Sequence, residues 1–139
     1  YFLSKYSYIQ HPVRGRMLFD LYHYQKNALS NFRDHDYNIV LKGRQIGIST
    51  LVAGYALWLL LFHNDKNILV IATKQETAKN LVTKVRFMHQ NLPVWLRGEI
   101  VTDNKLSLQF TNGSQIKAVA SSKDAGRSEA LSLLILECP

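Results

Sequence analysis

The sequence contains a single cysteine, Cys138, among its 139 residues. One thiol cannot form an internal disulfide framework or supply a cysteine-rich metal cluster, so a reducing compartment is expected. Prolines are limited to positions 12, 93 and 139, and no low-complexity tract or internal repeat interrupts the chain. The length and the lack of linkers therefore predict one domain at most.

Acidic residues are outnumbered, because Lys and Arg total 17 against 10 Asp and Glu, for a net charge of +7. This excess favours a polyanionic partner. The most apolar stretch, Thr50 to His63, is shorter than the roughly 20 apolar residues that a membrane-spanning helix needs. The acids and histidines show no spacing typical of metal ligands. We therefore expect neither a membrane span nor a clustered metal site.

What is present is a regular alternation of patterns. Apolar spacing predicts helices over 22–34, 49–63 and 77–92, buried strands over 37–42, 67–72 and 131–136, and a hairpin over 105–121 around Asn112-Gly113. This order predicts an α/β fold whose central strands are mostly parallel, flanked by helices, with a small antiparallel hairpin. Ligands bind such sheets at the carboxyl ends of the strands.

The hairpin has two candidate registers. One pairs Phe110 with Gln115, whereas the other pairs Phe110 with Ile116 and Leu108 with Ala118. The second keeps apolar side chains opposite one another, so we expect that register.

A possible phosphate-binding loop lies between the first predicted strand and the next helix, at Lys42–Thr50. The usual pattern is G-x-x-x-x-G-K-[ST], in which backbone N–H groups and the helix N-terminus hold phosphates and the hydroxyl binds Mg²⁺. Aligned on Gly47, Ser49 fits the hydroxyl position, but Ile48 occupies the lysine position. The alternative is an ordinary strand-to-helix turn, with Gly47 for backbone geometry and Ser49 as N-cap.

Two nearby cations could replace the missing lysine. Lys42 leaves the predicted strand just before the loop, and Arg44 lies within it. The planar guanidinium of Arg44 suits a γ-phosphate.

Taken together, the motifs resemble the ATPase domain of the large terminase subunit of tailed bacteriophages, closest to the myovirus type. The matching segments are Tyr24-Gln25, Lys42–Thr50, Asn112–Ser114, Ala120–Arg127 and Leu133–Cys138. The resemblance implies a P-loop NTPase fold of the additional-strand, RecA-like class. It also implies that residues 1–139 form the N-terminal part of that ATPase domain, without the nuclease domain.

The resemblance implies a role for each matching residue. Gln25 would read adenine, although an exposed helix residue is the alternative. Glu137 would be the catalytic carboxylate that orients and deprotonates the attacking water, Arg44 would contact the γ-phosphate, and Arg127 would act as an arginine finger or be an ordinary surface residue. Ser49 would bind Mg²⁺. The implied ATP-binding residues are Gln25, Lys42, Gly43, Arg44, Gln45, Ile46, Gly47, Ile48, Ser49 and Thr50.

One position departs from the family pattern. The family normally has Asp-Glu at the end of the acidic strand, whereas this chain has Leu136-Glu137. Ser49 would then hold the metal without an aspartate partner. Either Glu137 serves both purposes, or the chain binds nucleotide with little or no turnover.

The resemblance further implies partners and a location. A large terminase uses ATP and Mg²⁺ to move double-stranded DNA, without reading its sequence, as one subunit of a ring on the procapsid in the host cytoplasm. Its protein partners would be the portal protein and the small terminase subunit. A helicase-like DNA translocase is an alternative enzyme, since it shares the motif order. Lys74, Lys79, Lys84 and Arg86 could form a DNA track or simply a solvated helix face.

Overall fold

The computed structural model describes residues 1–11, 13–41, 47–121 and 130–137. The helices within them are α1 (Phe2–Tyr6), α2 (His23–Asp34), α3 (Ile48–Phe62), α4 (Gln75–Gln90) and α5 (Val94–Arg97). The strands are β1 (Tyr8–His11), β2 (Gly15–Leu18), β3 (Asn67–Ala72), β4 (Ile100–Asn104), β5 (Ser107–Phe110), β6 (Gln115–Ala120) and β7 (Leu133–Glu137). None of the helices in these ranges is long and apolar enough to cross a membrane.

The main sheet is mixed, with the strand order β4-β5-β6-β3-β7. β3 pairs in parallel with both β6 and β7, whereas the β4–β5 and β5–β6 pairings are antiparallel. β1 and β2 form a separate antiparallel hairpin. Three of the five pairings in the described residues are thus antiparallel. The predicted P-loop NTPase fold with a mostly parallel central sheet is therefore wrong.

One reason for this difference is that residues 37–41, predicted to belong to the first buried strand, do not form a strand. Residues 37–41 have no regular secondary structure, and Ile39 and Leu41 are both 100% exposed. A short apolar run becomes a strand only where another strand offers free hydrogen-bonding groups. β6 and β7 occupy both edges of β3, and residues 37–41 do not pair with the outer edge of β7, which has no partner among the described residues. Lys42, the last residue of the predicted strand, lies outside the described residues.

The long periodic segments agree with their predictions. α2, α3 and α4 coincide with the predicted helices to within two residues at each end, and β3 has the predicted limits. β7 begins two residues later than predicted and includes Glu137. The hairpin exists, but its predicted register is wrong, because Leu108 lies opposite Ile116.

The core lies between one face of the sheet and the helices α3 and α4. Ile68, Val70 and Ala72 of β3 point to this face, together with Leu133 and Ile135 of β7. The helices contribute Leu51, Leu57, Leu60, Leu81, Val82, Val85 and Met88. Burying each large aliphatic side chain contributes about 1.5–3 kcal/mol. This packing fixes the start of α3 beside the end of β7.

A polar turn joins the hairpin to the end of α3. The Asn112 side-chain amide donates to the Leu60 and His63 carbonyl oxygens, at 2.8 and 3.2 Å. Ser114 Oγ donates to the same His63 oxygen at 2.8 Å and accepts from the Lys66 N–H at 3.1 Å. These bonds satisfy carbonyls that the last turn of a helix leaves unpaired.

Candidate functional site

The site is built around the N-terminus of α3. Gly47 is the N-cap and adopts a left-handed backbone with φ of +79°, a conformation that favours glycine. Gly47 has no side chain that could cap this end of the helix, and the first N–H groups of a helix point outward with the positive end of its dipole. This geometry suits an anion. The alternative role of Ser49 as N-cap is wrong.

Gln25 holds Gly47 in place from α2. Its Nε2 donates to the Gly47 carbonyl oxygen at 3.1 Å, and its Oε1 accepts the Tyr22 N–H at 2.8 Å. Gln25 is 2% exposed, so the alternative of an exposed helix residue is wrong. The bonds leave one amide hydrogen and one lone pair of Gln25 for any further partner. In this structure Gln25 fixes the start of α3, and its adenine-reading role remains a prediction.

Ser49 and Glu137 meet on the open side of the helix terminus. Ser49 Oγ donates to Glu137 Oε1 at 3.0 Å, although the two residues are 88 positions apart in the sequence. Ser49 lies in the first turn of α3, while Glu137 ends β7 on the face that also carries Leu133 and Ile135. The structure thus brings together two residues that the motifs assigned to one site.

This oxygen pair fits a magnesium ion. Mg²⁺ binds hard oxygen ligands, usually one or two carboxylates together with substrate phosphates and water. A hydroxyl oxygen and a carboxylate oxygen already in contact match that donor set. Leu136, which precedes Glu137 where the resemblance implies an aspartate, alternates onto the opposite face of β7 and is 65% exposed. On β7, the described residues therefore offer the ion one carboxylate, from Glu137.

The residue at the lysine position of the loop pattern, Ile48, is buried in the hydrophobic core, where a cation would not be tolerated. Ile48 is 6% exposed and belongs to the hydrophobic core. A lysine at this place would bury an ammonium group among aliphatic side chains, which is costly without a partner. Thr50, the other hydroxyl residue of this turn, is half-buried.

An open cavity of about 390 Å³ adjoins the Ser49–Glu137 pair. Besides Ser49 of α3 and Glu137 of β7, the cavity is lined by α4, which the sequence analysis did not connect with the site. The lining residues from α4 are Thr77, Asn80, Leu81, Thr83 and Lys84. Their helical spacing groups Thr77, Asn80 and Lys84 on one face, and this was the signal available in the sequence. Lys84, which was predicted to lie on a DNA track or a solvated face, is exposed and lines this cavity.

A second cavity, of about 370 Å³, lies between α2 and residues 38–41 and reaches Ile48. Tyr24 and Phe32 supply aromatic surface, and Asn27 and Asn31 supply amides. Tyr24 also stacks on Tyr22, with ring centroids 5.7 Å apart. Aromatic and amide groups of this kind can bind a planar, polar ligand.

Several predicted site residues fall outside the described residues. These are Lys42, Gly43, Arg44, Gln45, Ile46 and Arg127. Their predicted contacts with phosphate remain predictions.

Two of the four residues of the possible DNA track have another place in the structure, since Lys84 lines the cavity and Arg86 is paired within the protein. Arg86 Nε lies 2.7 Å from Asp103 Oδ1, and its terminal nitrogen donates to the Asn104 carbonyl oxygen. This pairing directs the guanidinium toward β4. Lys74, the N-cap of α4, and Lys79, on α4, remain as candidate DNA contacts.

A comparison with known families assigns most of the chain to a terminase family. The family described as "Terminase large subunit, T4likevirus-type, N-terminal" matches residues 39–132, which are 94 of the 139 residues. The matched range includes the loop, the start of α3, α4 and the hairpin. Gln25 and Glu137 lie outside it. The match confirms the resemblance carried by the motifs.

Proposed function

The chain belongs to the N-terminal family of T4-like virus large terminase subunits, and we propose that it binds and hydrolyses ATP with Mg²⁺ to move double-stranded DNA into a procapsid. The family assignment gives the chain a role in phage DNA packaging.

The observation that carries the proposal is the contact between Ser49 Oγ and Glu137 Oε1 at 3.0 Å. In a phosphoryl-transfer site, a hydroxyl and a carboxylate near the phosphates hold Mg²⁺ and position the nucleophile. Mg²⁺ would neutralise phosphate charge when bound. Glu137 would orient a water molecule and accept its proton, while the N–H groups at the start of α3 would bind phosphate oxygens.

The charge of the whole chain supports a DNA partner. A net charge of +7 attracts a polyanion without reading its sequence. We further propose that the chain acts as one subunit of a ring, together with the portal protein and the small terminase subunit.

Nucleotide binding by wild-type protein, Ser49→Ala and Glu137→Gln tests the proposal. We expect Ser49→Ala to weaken Mg²⁺-dependent ATP binding, because the ion loses a ligand. Glu137→Gln should keep part of the binding, because the amide oxygen can still face the ion, and should lose turnover, since an amide cannot accept the proton from water. Glu99→Gln is the matched control, because Glu99 is exposed and is not among the residues that line the cavity. Titration calorimetry and phosphate release measure the two properties. An absence of ATP binding by the wild-type protein would refute the proposal.

A second candidate function is a nucleotide-binding assembly module without turnover. Leu136 favours it, because this residue removes one of the two acids that the family normally places at the end of the strand. Tight Mg²⁺-ATP binding without phosphate release, even in the presence of DNA and portal protein, would support this candidate over the motor.

A further inference from the structure

The cavity beside Ser49 and Glu137 has a polar wall that the proposed function does not use. Thr77, Asn80 and Lys84 lie three and four positions apart on α4 and line the cavity together. Side chains with this spacing share one helix face. The buried face of the same helix carries Ala78, Leu81, Val82 and Val85, which lock its rotation against the core. The polar wall is therefore held in a fixed orientation.

A nucleotide in this cavity would need a cation from the protein. Magnesium-bound ATP keeps negative charge on its phosphate oxygens, and phosphoryl-transfer sites meet that charge with Lys or Arg. The usual lysine position is Ile48, whose side chain belongs to the core. Lys84 is the only cationic residue among those lining the cavity in the described parts of the chain.

Lys84 is also available for such a contact. It is exposed, and the ion pairs found within the described ranges join Arg33 to Asp34 and Arg86 to Asp103. Arg86, two positions away, is turned toward β4 by its own pairing. An ammonium on a four-carbon stem can follow a phosphate over several ångströms. Asn80, one turn earlier on the same face, can donate a hydrogen bond through its amide.

We propose that Lys84, assisted by Asn80, binds the terminal phosphate of the nucleotide from α4, opposite the N-terminus of α3. This inference rests on the proposed ATP site and adds a phosphate-binding residue from an element that no loop motif includes. The phosphate would then lie between two helices, with Ser49 and Glu137 at one side. Binding to α4 would also distinguish ATP from ADP, because only the triphosphate reaches this wall.

The test compares Lys84→Ala with Lys79→Ala, a variant that removes the same charge from the same helix but not from the cavity lining. Each protein is titrated with a non-hydrolysable ATP analogue and with ADP, in the presence of Mg²⁺. For Lys84→Ala we expect about tenfold weaker analogue binding, the usual size for one charge-assisted hydrogen bond. ADP affinity should change by less than about twofold. Lys79→Ala should change neither affinity by more than about twofold, and Lys84→Arg should restore most analogue binding.

The outcomes distinguish a failure of the Lys84 proposal from a failure of the proposed ATP-binding function. If the wild-type protein binds neither nucleotide, the proposed function fails. If the wild type binds and Ser49→Ala weakens binding, but Lys84→Ala behaves like Lys79→Ala, the function stands and the role of Lys84 is refuted. Equal losses for the analogue and ADP would refute contact with the terminal phosphate. Thermal unfolding checks each variant, and no loss of Tm is expected from the exposed Lys84.

Discussion

At the scale of single residues, Gly47 controls the start of α3. A β-carbon added at Gly47 would lie 2.7 Å from Gln25 Nε2, and the backbone φ is +79°. We expect Gly47→Ala to lower the free energy of unfolding by about 2–3 kcal/mol, combining backbone strain with the clash. Urea denaturation measures the loss.

Gly15→Ala is the matched control for this change. Gly15 has a similar φ of +71°, but an added β-carbon would meet nothing within 4 Å. Gly15→Ala should lower the free energy of unfolding only by the cost of the left-handed backbone, about 1 kcal/mol. Equal losses for the two variants would show that the Gln25 contact contributes nothing.

A second residue-scale prediction concerns pH. His89 is buried, and its Nε2 lies 2.7 Å from the Arg97 carbonyl oxygen. Burial lowers the pKa of His89 below its usual value, so the folded protein binds this proton less readily than the unfolded chain. The free energy of unfolding should therefore fall as the pH drops below about 6.5. Urea denaturation between pH 7.5 and pH 5 measures the trend.

The His89→Phe variant tests whether His89 causes this pH dependence of the free energy of unfolding. His89→Phe should flatten the dependence, because it keeps a ring against Phe110, whose centroid is 5.2 Å away, and removes the titration. An unchanged slope in His89→Phe would contradict the assignment.

At the scale of elements, the turn after β5 holds the hairpin against α3. Ser114 is fully buried and bonds both to the His63 carbonyl and to the Lys66 N–H. Ser114→Ala removes one partner from each of these backbone groups, so we expect a loss of about 1–3 kcal/mol in unfolding free energy. The exposed Ser121→Ala should cost less than about 0.5 kcal/mol. Chemical denaturation compares the two, and equal losses would refute this role for the turn.

The same turn shows why the hairpin register could not be predicted from the pattern. Leu108, Phe110, Ile116 and Ala118 stay on one face in the predicted and in the observed pairing, because the two differ by two positions. The choice depends on the hydrogen bonds of Ser114 to α3, which no local pattern reveals. Periodicity, in contrast, was enough for β3 and α4, whose buried positions repeat regularly.

The candidate site was likewise predicted where local motifs were sufficient and missed where it depends on tertiary packing. The loop motif and the acidic strand brought Ser49 and Glu137 into one hypothesis, and the structure places their oxygens in contact. The contribution of α4 was missed, because which helix face meets a cavity depends on packing between distant elements. The strand predicted at 37–42 failed because an apolar run becomes a strand only where packing brings it against a sheet edge, and residues 37–41 pair with none.

At the scale of the whole molecule, the net charge of +7 predicts salt-sensitive binding to double-stranded DNA. Affinity should fall steeply between about 50 and 200 mM salt, without preference for sequence. Replacing both Lys74 and Lys79 with Ala should reduce the slope of log affinity against log salt by up to about 2. Fluorescence anisotropy measures the slope.

The control for this prediction is Arg86→Ala. Arg86 is engaged with Asp103, so its removal should leave the slope nearly unchanged. Affinity that does not respond to salt, or a larger slope change for Arg86→Ala than for the lysine pair, would contradict the prediction.

The 88-residue separation between Ser49 and Glu137 also has a kinetic consequence. We expect two groups so far apart along the chain to come together only after the intervening strands have docked, because closing a long loop is entropically costly until other contacts hold it. A ligand that bridges both oxygens therefore recognises the completed fold and not its early intermediates. Such a ligand should slow unfolding and leave the rate of folding almost unaltered.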